Sequence, residues 1–157
     1  MNKIPMTEEG LNRLRSELER LKTEERPNVI RAIAAARDHG DLAENAEYHA
    51  ARDRQSFIEG RVADIEDKIR RAEVIDVSKL SGKAVKFGAK VTLADEDTDE
   101  RTTYKIVGAD EADISEGLLS ITSPLARALI GKEKGDSVEV STPGGTKAFE
   151  ILSVKYR

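Results

Sequence analysis

The sequence contains no cysteine, no tryptophan and only four prolines among its 157 residues. Without cysteine there can be no disulfide, no thiolate zinc site and no cysteine nucleophile. The only two histidines, His39 and His49, are too few for a histidine-based zinc site. Three tyrosines and three phenylalanines are the only aromatic residues, so the core is expected to be aliphatic.

Long apolar runs are also missing, since the longest is the five-residue stretch 32–36. There is no candidate signal peptide or membrane span, and we expect a soluble, cytoplasmic protein. The formal net charge of −4 argues against binding free nucleic acid, because that mode requires an excess of basic residues. A macromolecular partner other than naked DNA is favoured.

The N-terminal part of the chain has the pattern of an amphipathic helix. Apolar residues recur at steps of three and four, at Leu11, Leu14, Leu18 and Leu21 and again at Val29, Ile30, Ile33 and Ala34. Thr7 is a plausible N-cap, and Gly40 is expected to stop the helix near His39. Pro27 lies inside the pattern, which predicts one kinked helix.

A second periodic run predicts a helix that packs back on the first. Its seam alternates steps of four and three, through Ala51, Gln55, Ile58, Val62, Ile65, Ile69 and Ala72. The short connection makes the pair an antiparallel coiled-coil hairpin, roughly 45–50 Å long. Such an arm could also serve only to dimerise or stiffen the protein. A seam satisfied within the hairpin needs no second chain, so a monomer is expected.

Beyond residue 76 the apolar residues shift to the period of β-strands. Strands are predicted at 87–93, 102–107, 118–122, 137–141 and 146–154, with a short helix capped by Ser123, begun by Pro124 and ended by Gly131. This helix is expected to pack Leu125, Leu129 and Ile130 on an antiparallel sheet. The predicted fold class is α+β with two domains, an arm (1–76) and a sheet domain (83–157), joined by a linker (77–82).

Carboxylates are concentrated between the two predicted helices. Asp41 is a good N-cap for the second helix, and Glu44 three residues later would complete a capping box. The same two acids, side by side on an exposed tip, could bind Mg²⁺ weakly and complete a metal site on another macromolecule. Because Asn caps as well as Asp, Asp41→Asn should preserve stability and abolish metal-dependent activity if the second hypothesis holds.

Basic residues lie on the arm near this tip. Arg37, Arg52, Arg54 and Arg61 could contact RNA phosphates or the walls of a channel. Arginines on solvated coiled-coil flanks are common, so a purely structural role is the alternative for each of them. Both histidines are expected to be polar bystanders.

Residues 40–52, GDLAENAEYHAAR, resemble the tip motif of the Gre transcript-cleavage factor family, in its GreA type. Further similar segments are 4–7 (IPMT), 74–76 (VID), 104–108 (YKIVG), 110–113 (DEAD) and 123–132 (SPLARALIGK). The resemblance therefore covers nearly the whole chain.

The resemblance implies an N-terminal antiparallel coiled coil and a C-terminal FKBP-like domain that docks at the RNA polymerase secondary channel. It implies that Asp41 and Glu44 help to position a second Mg²⁺, shared with the polymerase, and the attacking water. It also implies that Arg37 and Arg52 contact the nascent RNA 3′ end, and that Ser123 and Pro124 lie where the domain meets the polymerase. The factor would stimulate cleavage of backtracked RNA by the polymerase and have no enzymatic activity alone.

Three other functions remain as alternatives. A peptidyl-prolyl isomerase is suggested by the FKBP-like domain, but its pocket would need more aromatic side chains than this region offers. A channel inhibitor would block the polymerase without promoting cleavage, and it would not need both acids. A standalone nuclease would cleave RNA without polymerase.

Overall fold

The computed structural model describes residues 2–40 and 42–156, with only the backbone of Ala43. The chain divides into two units, and this confirms the α+β class with a helical hairpin and a sheet domain. The first unit comprises Met1–Asn2 and Leu11–Ala72, and the second comprises Lys3–Gly10 and Glu73–Arg157. Among the described residues, no helix is long and apolar enough to cross a lipid bilayer.

The division differs from the predicted one, which placed residues 1–76 in the arm. Strand β1 (Ile4–Met6) pairs with strand β2 (Ala72–Val74), and the Ile75 N–H donates to the Met6 carbonyl at 3.0 Å. Three-residue strands are too short to show a period in the sequence. The second unit is therefore assembled from two separate segments of the chain.

The first helical stretch begins with α1 (Glu8–Arg20), widens into a π-helical segment (Leu21–Glu25), and continues as α2 (Arg26–Arg37). Thr7 caps α1 as predicted, because its Oγ accepts from the Gly10 N–H at 3.1 Å. The irregularity expected at Pro27 lies just upstream, where the Arg26 N–H bonds to the Leu21 carbonyl. Proline has no N–H and crowds the preceding turn, and a π-turn is one way for a helix to absorb such a misfit.

Helix α3 (Ala46–Arg71) packs against the first stretch along an aliphatic seam. The buried apolar residues are Leu11, Leu14, Leu21, Val29, Ile33 and Ala36 before the tip and Ala51, Ile58, Val62 and Ile65 after it. Four of the predicted seam residues, Leu18, Gln55, Ile69 and Ala72, are only partly buried, and Ile30 and Ala34 are exposed. The apolar stripe is thus narrower than the sequence indicated.

Ion pairs flank this seam on the hairpin surface. Arg61 donates two hydrogen bonds to the Glu17 carboxylate, at 2.7 and 2.8 Å. Arg26 donates two to the Glu59 carboxylate, also at 2.7 and 2.8 Å. Each pair joins the two sides of the antiparallel hairpin, 44 and 33 residues apart in sequence. Exposed pairs contribute little free energy, but several together select one register over another.

The second unit contains a five-stranded sheet made of β3 (Ala89–Asp95), β4 (Arg101–Val107), β5 (Leu118–Ser120), β6 (Ser137–Thr142) and β7 (Gly145–Tyr156). Its order is β5-β4-β3-β7-β6, and the five strands overlap the predicted ones. The expectation of a purely antiparallel sheet is wrong, because β5 runs parallel to β4. Two 3₁₀ turns, Ala109–Glu111 and Ile114–Glu116, carry the chain between them in place of a tight hairpin turn.

Helix α4 (Pro124–Leu129) covers the core of this sheet. Ser123 caps it, as predicted, by accepting from the Ala126 N–H at 3.2 Å, and Gly131 follows with a φ of +85°. Leu129 is completely buried and Leu125 is partly buried against the core. Ile130 was expected to pack there as well, but it is 40% exposed, because the helix ends at the residue before it.

A buried carboxylate joins the two segments of the second unit. Glu111 accepts hydrogen bonds from the Thr7 N–H at 3.0 Å, from the Gly108 N–H at 2.9 Å and from the Thr7 hydroxyl. Gly10 makes this approach possible, because a Cβ there would lie 2.3 Å from the Glu111 Cδ. A polar group that is taken out of water in this way needs all of these donors.

Candidate functional site

The tip of the hairpin is the connection between α2 and α3. It contains Gly40, whose φ of +114° is costly for residues with a side chain, and a 3₁₀ turn over Leu42–Glu44. Glycine at this position allows helix α2 to end and the chain to reverse its direction, as the sequence predicted. Leu42 on the turn is 38% exposed, as single apolar side chains on a protein surface often are.

Asn45 caps helix α3, so the prediction that Asp41 and Glu44 form its capping box is wrong. The Asn45 Oδ1 accepts from the Tyr48 N–H at 3.0 Å, and its Nδ2 donates to the Ala36 carbonyl at 2.7 Å. One side chain therefore starts α3 and fastens that start to the end of α2. The 3₁₀ turn delays the helix by several residues, and short turns of this kind are not encoded by any periodicity.

Glu44 ends the 3₁₀ turn and is exposed, whereas Asp41 lies outside the described residues. Within the part of the chain that the structure describes, no other residue forms a hydrogen bond or ion pair with the Glu44 carboxylate. Mg²⁺ keeps several waters and takes one or two protein carboxylates, so an exposed carboxylate such as that of Glu44 fits its chemistry. The described residues, which exclude Asp41, contain no cluster of three or more potential metal ligands.

The structure brings Arg37 and Arg52 together around the ring of Tyr48. Their guanidinium carbons lie 6.0 and 5.9 Å from the ring centroid. The Arg52 Nη1 also donates to the Tyr48 hydroxyl at 3.0 Å. Hydrogen bonding from Arg37, with a further contribution from Arg52, lowers the pKa of the Tyr48 phenol. Two of the predicted site residues thus form one positively charged cluster.

The other two candidate arginines, Arg54 and Arg61, have structural partners. Arg54 pairs with Glu25 at 2.9 Å, and Arg61 binds Glu17 and also Asp64, at 3.1 Å. These contacts favour the structural alternative for both residues. His49, which was expected to be a bystander, places its ring edge-on to Tyr48 with centroids 5.6 Å apart.

Ser123 and Pro124 belong to the second unit, at the start of α4. Ser123 is the N-cap and Pro124 occupies the first helical position, where a missing N–H costs nothing. Their local geometry is fully explained by the helix start. A role in docking therefore stays a prediction.

The sequence argument missed Asn45 as the cap and Tyr48 as the centre of the arginine cluster. Tyr48 and Arg52 are four residues apart and therefore adjacent on one helix face, which was visible in the sequence. The contribution of Arg37 depends on how the hairpin closes, and no local pattern encodes it.

Two family descriptions together match almost all of the chain. Residues 4–74 match "Transcription elongation factor, N-terminal", and residues 80–156 match "Transcription elongation factor, GreA/GreB, C-term". Both halves of the chain are thus assigned to the same kind of protein, and the resemblance found in the sequence is confirmed.

Individual relatives agree over the whole length. Transcription elongation factor GreA of Phenylobacterium zucineum is 65% identical over 156 residues, covering 99% of each chain. That of Hyphomonas neptunium is 60% identical over 157 residues, covering 100% of each chain. Among solved structures, the GreA/GreB factor of Nitrosomonas europaea is 25% identical with a TM-score of 0.43. The match covers 98% of this chain and 100% of that structure's chain. The chain belongs to the GreA/GreB family of transcription elongation factors.

Proposed function

We propose that this chain acts on RNA polymerase during elongation and stimulates the polymerase's own cleavage of backtracked nascent RNA. The observation that carries this proposal is the identity of 60–65% with GreA proteins over the entire chain. In this proposal the hairpin enters the secondary channel, and the sheet domain, with Ser123 and Pro124, docks at its entrance. The factor alone has no activity and works as a monomer.

The chemistry of the tip supports the proposal. Glu44 is an exposed carboxylate on a turn, and it would bind Mg²⁺ together with Asp41 and groups of the polymerase. Bound Mg²⁺ would supply a Lewis acid that stabilises negative charge developing on the scissile phosphate. Arg37 and Arg52 would hold the RNA 3′ segment through its phosphates, since guanidinium groups bind phosphate oxygens strongly.

The test uses stalled, backtracked elongation complexes and the purified full-length chain. We expect Mg²⁺-dependent release of 3′ RNA fragments, and no release from the same RNA without polymerase. Slower elongation with no fragments would indicate a channel inhibitor instead. Cleavage of free RNA would indicate a nuclease.

Glu44→Gln is the sharpest substitution for this test. Gln keeps the shape of the side chain but is a poor ligand for Mg²⁺, so we expect cleavage to fall by about 100-fold or more. Because Glu44 does not cap α3, the melting temperature should stay the same. Glu47→Gln, an exposed acid one turn further along, is the matched control and should retain full activity.

A further inference from the structure

Tyr48 lies in the first turn of α3, and its position is set by the backbone. Its N–H is the donor to the Asn45 cap, and Asn45 in turn is bonded to the Ala36 carbonyl. Ala36 directly precedes Arg37. The backbone of Tyr48 is therefore attached through two hydrogen bonds to the end of the other helix, and this places its side chain beside Arg37.

The ring brings together two like charges that would otherwise separate. Two guanidinium groups near one point repel each other, and each long side chain gains entropy by turning into solvent. The negative face of an aromatic ring attracts a guanidinium group within about 6 Å, and both Arg37 and Arg52 meet that distance. The hydroxyl adds a hydrogen bond to Arg52. Tyr48 thus offsets the repulsion between the two arginines.

The two arginines also border one concave surface. A shallow cleft between α2 and α3 is lined by Ile30, Ile33, Ala34 and Gln55, and Arg37 and Arg52 complete its lining. Ile30 is 52% exposed. The two cations therefore line the same cleft, and a single strand of RNA lying against it would meet both of them.

We propose that Tyr48 is a positioning residue that holds Arg37 and Arg52 as one pair for the phosphodiester groups of the RNA 3′ segment. This inference rests on the proposed function and deepens it. Tyr48 acts through the two arginines and takes no part in the reaction. Preorganisation of this kind improves a site because the arginines are ordered before the RNA arrives.

The experiment measures RNA cleavage in backtracked complexes as a function of factor concentration. Tyr48→Leu removes the ring and the hydroxyl, and we expect the maximal rate to fall by about 5- to 10-fold, the size of one or two cation–π contacts. The half-saturating concentration should not change, since docking is untouched. Tyr48→Phe keeps the ring but removes the hydroxyl, and the maximal rate should fall only about 2-fold. Phe57→Leu removes an exposed aromatic side chain elsewhere on the same helix and should have no effect.

A double-mutant cycle separates positioning from a structural role. In the Arg37→Ala/Arg52→Ala background, Tyr48→Leu should cause less than about 2-fold further loss, measured above the polymerase's intrinsic cleavage. An equal loss in both backgrounds would overturn the inference, and so would full activity of Tyr48→Leu. If the wild-type chain gives no cleavage, the proposed function fails, and the positioning role fails with it.

A second readout does not depend on cleavage. In the full-length protein, the ring resonances of Tyr48 should titrate at a lower pH than in the Arg37→Ala/Arg52→Ala variant, since both arginines lower the pKa of the phenol. Tyr156, whose pKa is raised by burial, should titrate identically in both proteins. An unchanged Tyr48 titration would show that the arginines do not hold the ring, and would overturn the inference.

Discussion

Asn45 is the residue on which the geometry of the tip depends most. Its amide accepts at one end and donates at the other, and an ionised Asp could only accept. Asn45→Ala should lower the free energy of unfolding by about 1–2 kcal/mol, through the loss of the cap and of the bond to Ala36. Asn45→Asp keeps the cap but sets a carboxylate against the Ala36 carbonyl.

Urea unfolding of the two Asn45 variants checks this prediction. If the bond to Ala36 matters, Asn45→Asp should also be less stable than wild type, although Asp is as good a cap as Asn. Wild-type stability of Asn45→Asp would show that the cap alone matters.

The tip also shows what sequence can predict at this scale. The sequence located the tip and its exposed acid, because charges and glycines at turns are local properties, whereas the pairing of Arg37 with Arg52 depends on how the hairpin closes. It misplaced the N-cap of α3 by four residues, at Asp41 instead of Asn45, because both residue types are good N-caps. The Asn45 side chain also bonds to the Ala36 carbonyl on the other side of the hairpin, and such a contact is not a local property of the sequence.

Helix α3 contains a glycine in its interior that packing does not require. A Cβ at Gly60 would meet no atom within 4 Å, and glycine costs about 0.5–1 kcal/mol relative to alanine inside a helix. Gly60→Ala should therefore stabilise the protein by that amount in urea unfolding. Gly10→Ala is the matched control in α1, and it should be destabilising because its Cβ would collide with Glu111.

The hairpin should lose part of its stability in acid. The hydrogen bond from Arg61 lowers the pKa of Glu17 below its ordinary value of 4.5. A carboxyl group with a lowered pKa stabilises the fold above that ordinary value, and this stabilisation is lost as the pH falls through the lowered pKa. Because the pair is partly exposed, its contribution is at most about 1 kcal/mol.

Glu17→Gln measures this contribution directly. The variant should be less stable than wild type at pH 7, and the difference should shrink towards zero below the ordinary pKa. A difference that stays constant with pH would mean that packing, and not charge, is responsible.

The two helical sides of the hairpin were predictable, since the 3.6-residue period persists over many turns, but the start of α3 was not. The π-helical segment Leu21–Glu25 was not predictable, although Pro27 indicated an irregularity nearby. A proline shows that one hydrogen bond is missing, but neighbouring turns decide where the helix adjusts.

At the scale of the whole molecule, Glu111 connects parts of the chain that are 104 residues apart. Glu111→Ala would leave three buried donors without their acceptor and should destabilise the protein by about 2–4 kcal/mol. Glu111→Gln can still satisfy most of them and should cost about 1 kcal/mol or less. Thermal unfolding of both variants checks that Glu111→Ala is the less stable one. Glu116→Gln, at an exposed acid, is the control.

The sequence predicted five strands, one short helix and two domains, because alternation and turn residues are local. It did not predict that residues 3–10 complete the second unit. That assignment depends on a buried carboxylate and a three-residue strand pair, neither of which has a repeating pattern. The parallel placement of β5 was missed for the same reason.

The discontinuous second unit has a consequence for the order of events on the ribosome. Its first segment, residues 3–10, is synthesised about a hundred residues before Glu111, whose carboxylate accepts from Thr7. At roughly 5–20 residues per second, that delay is on the order of 5–20 s. During this interval the hairpin, whose two sides lie within residues 11–72, can fold before residues 3–10 meet Glu111.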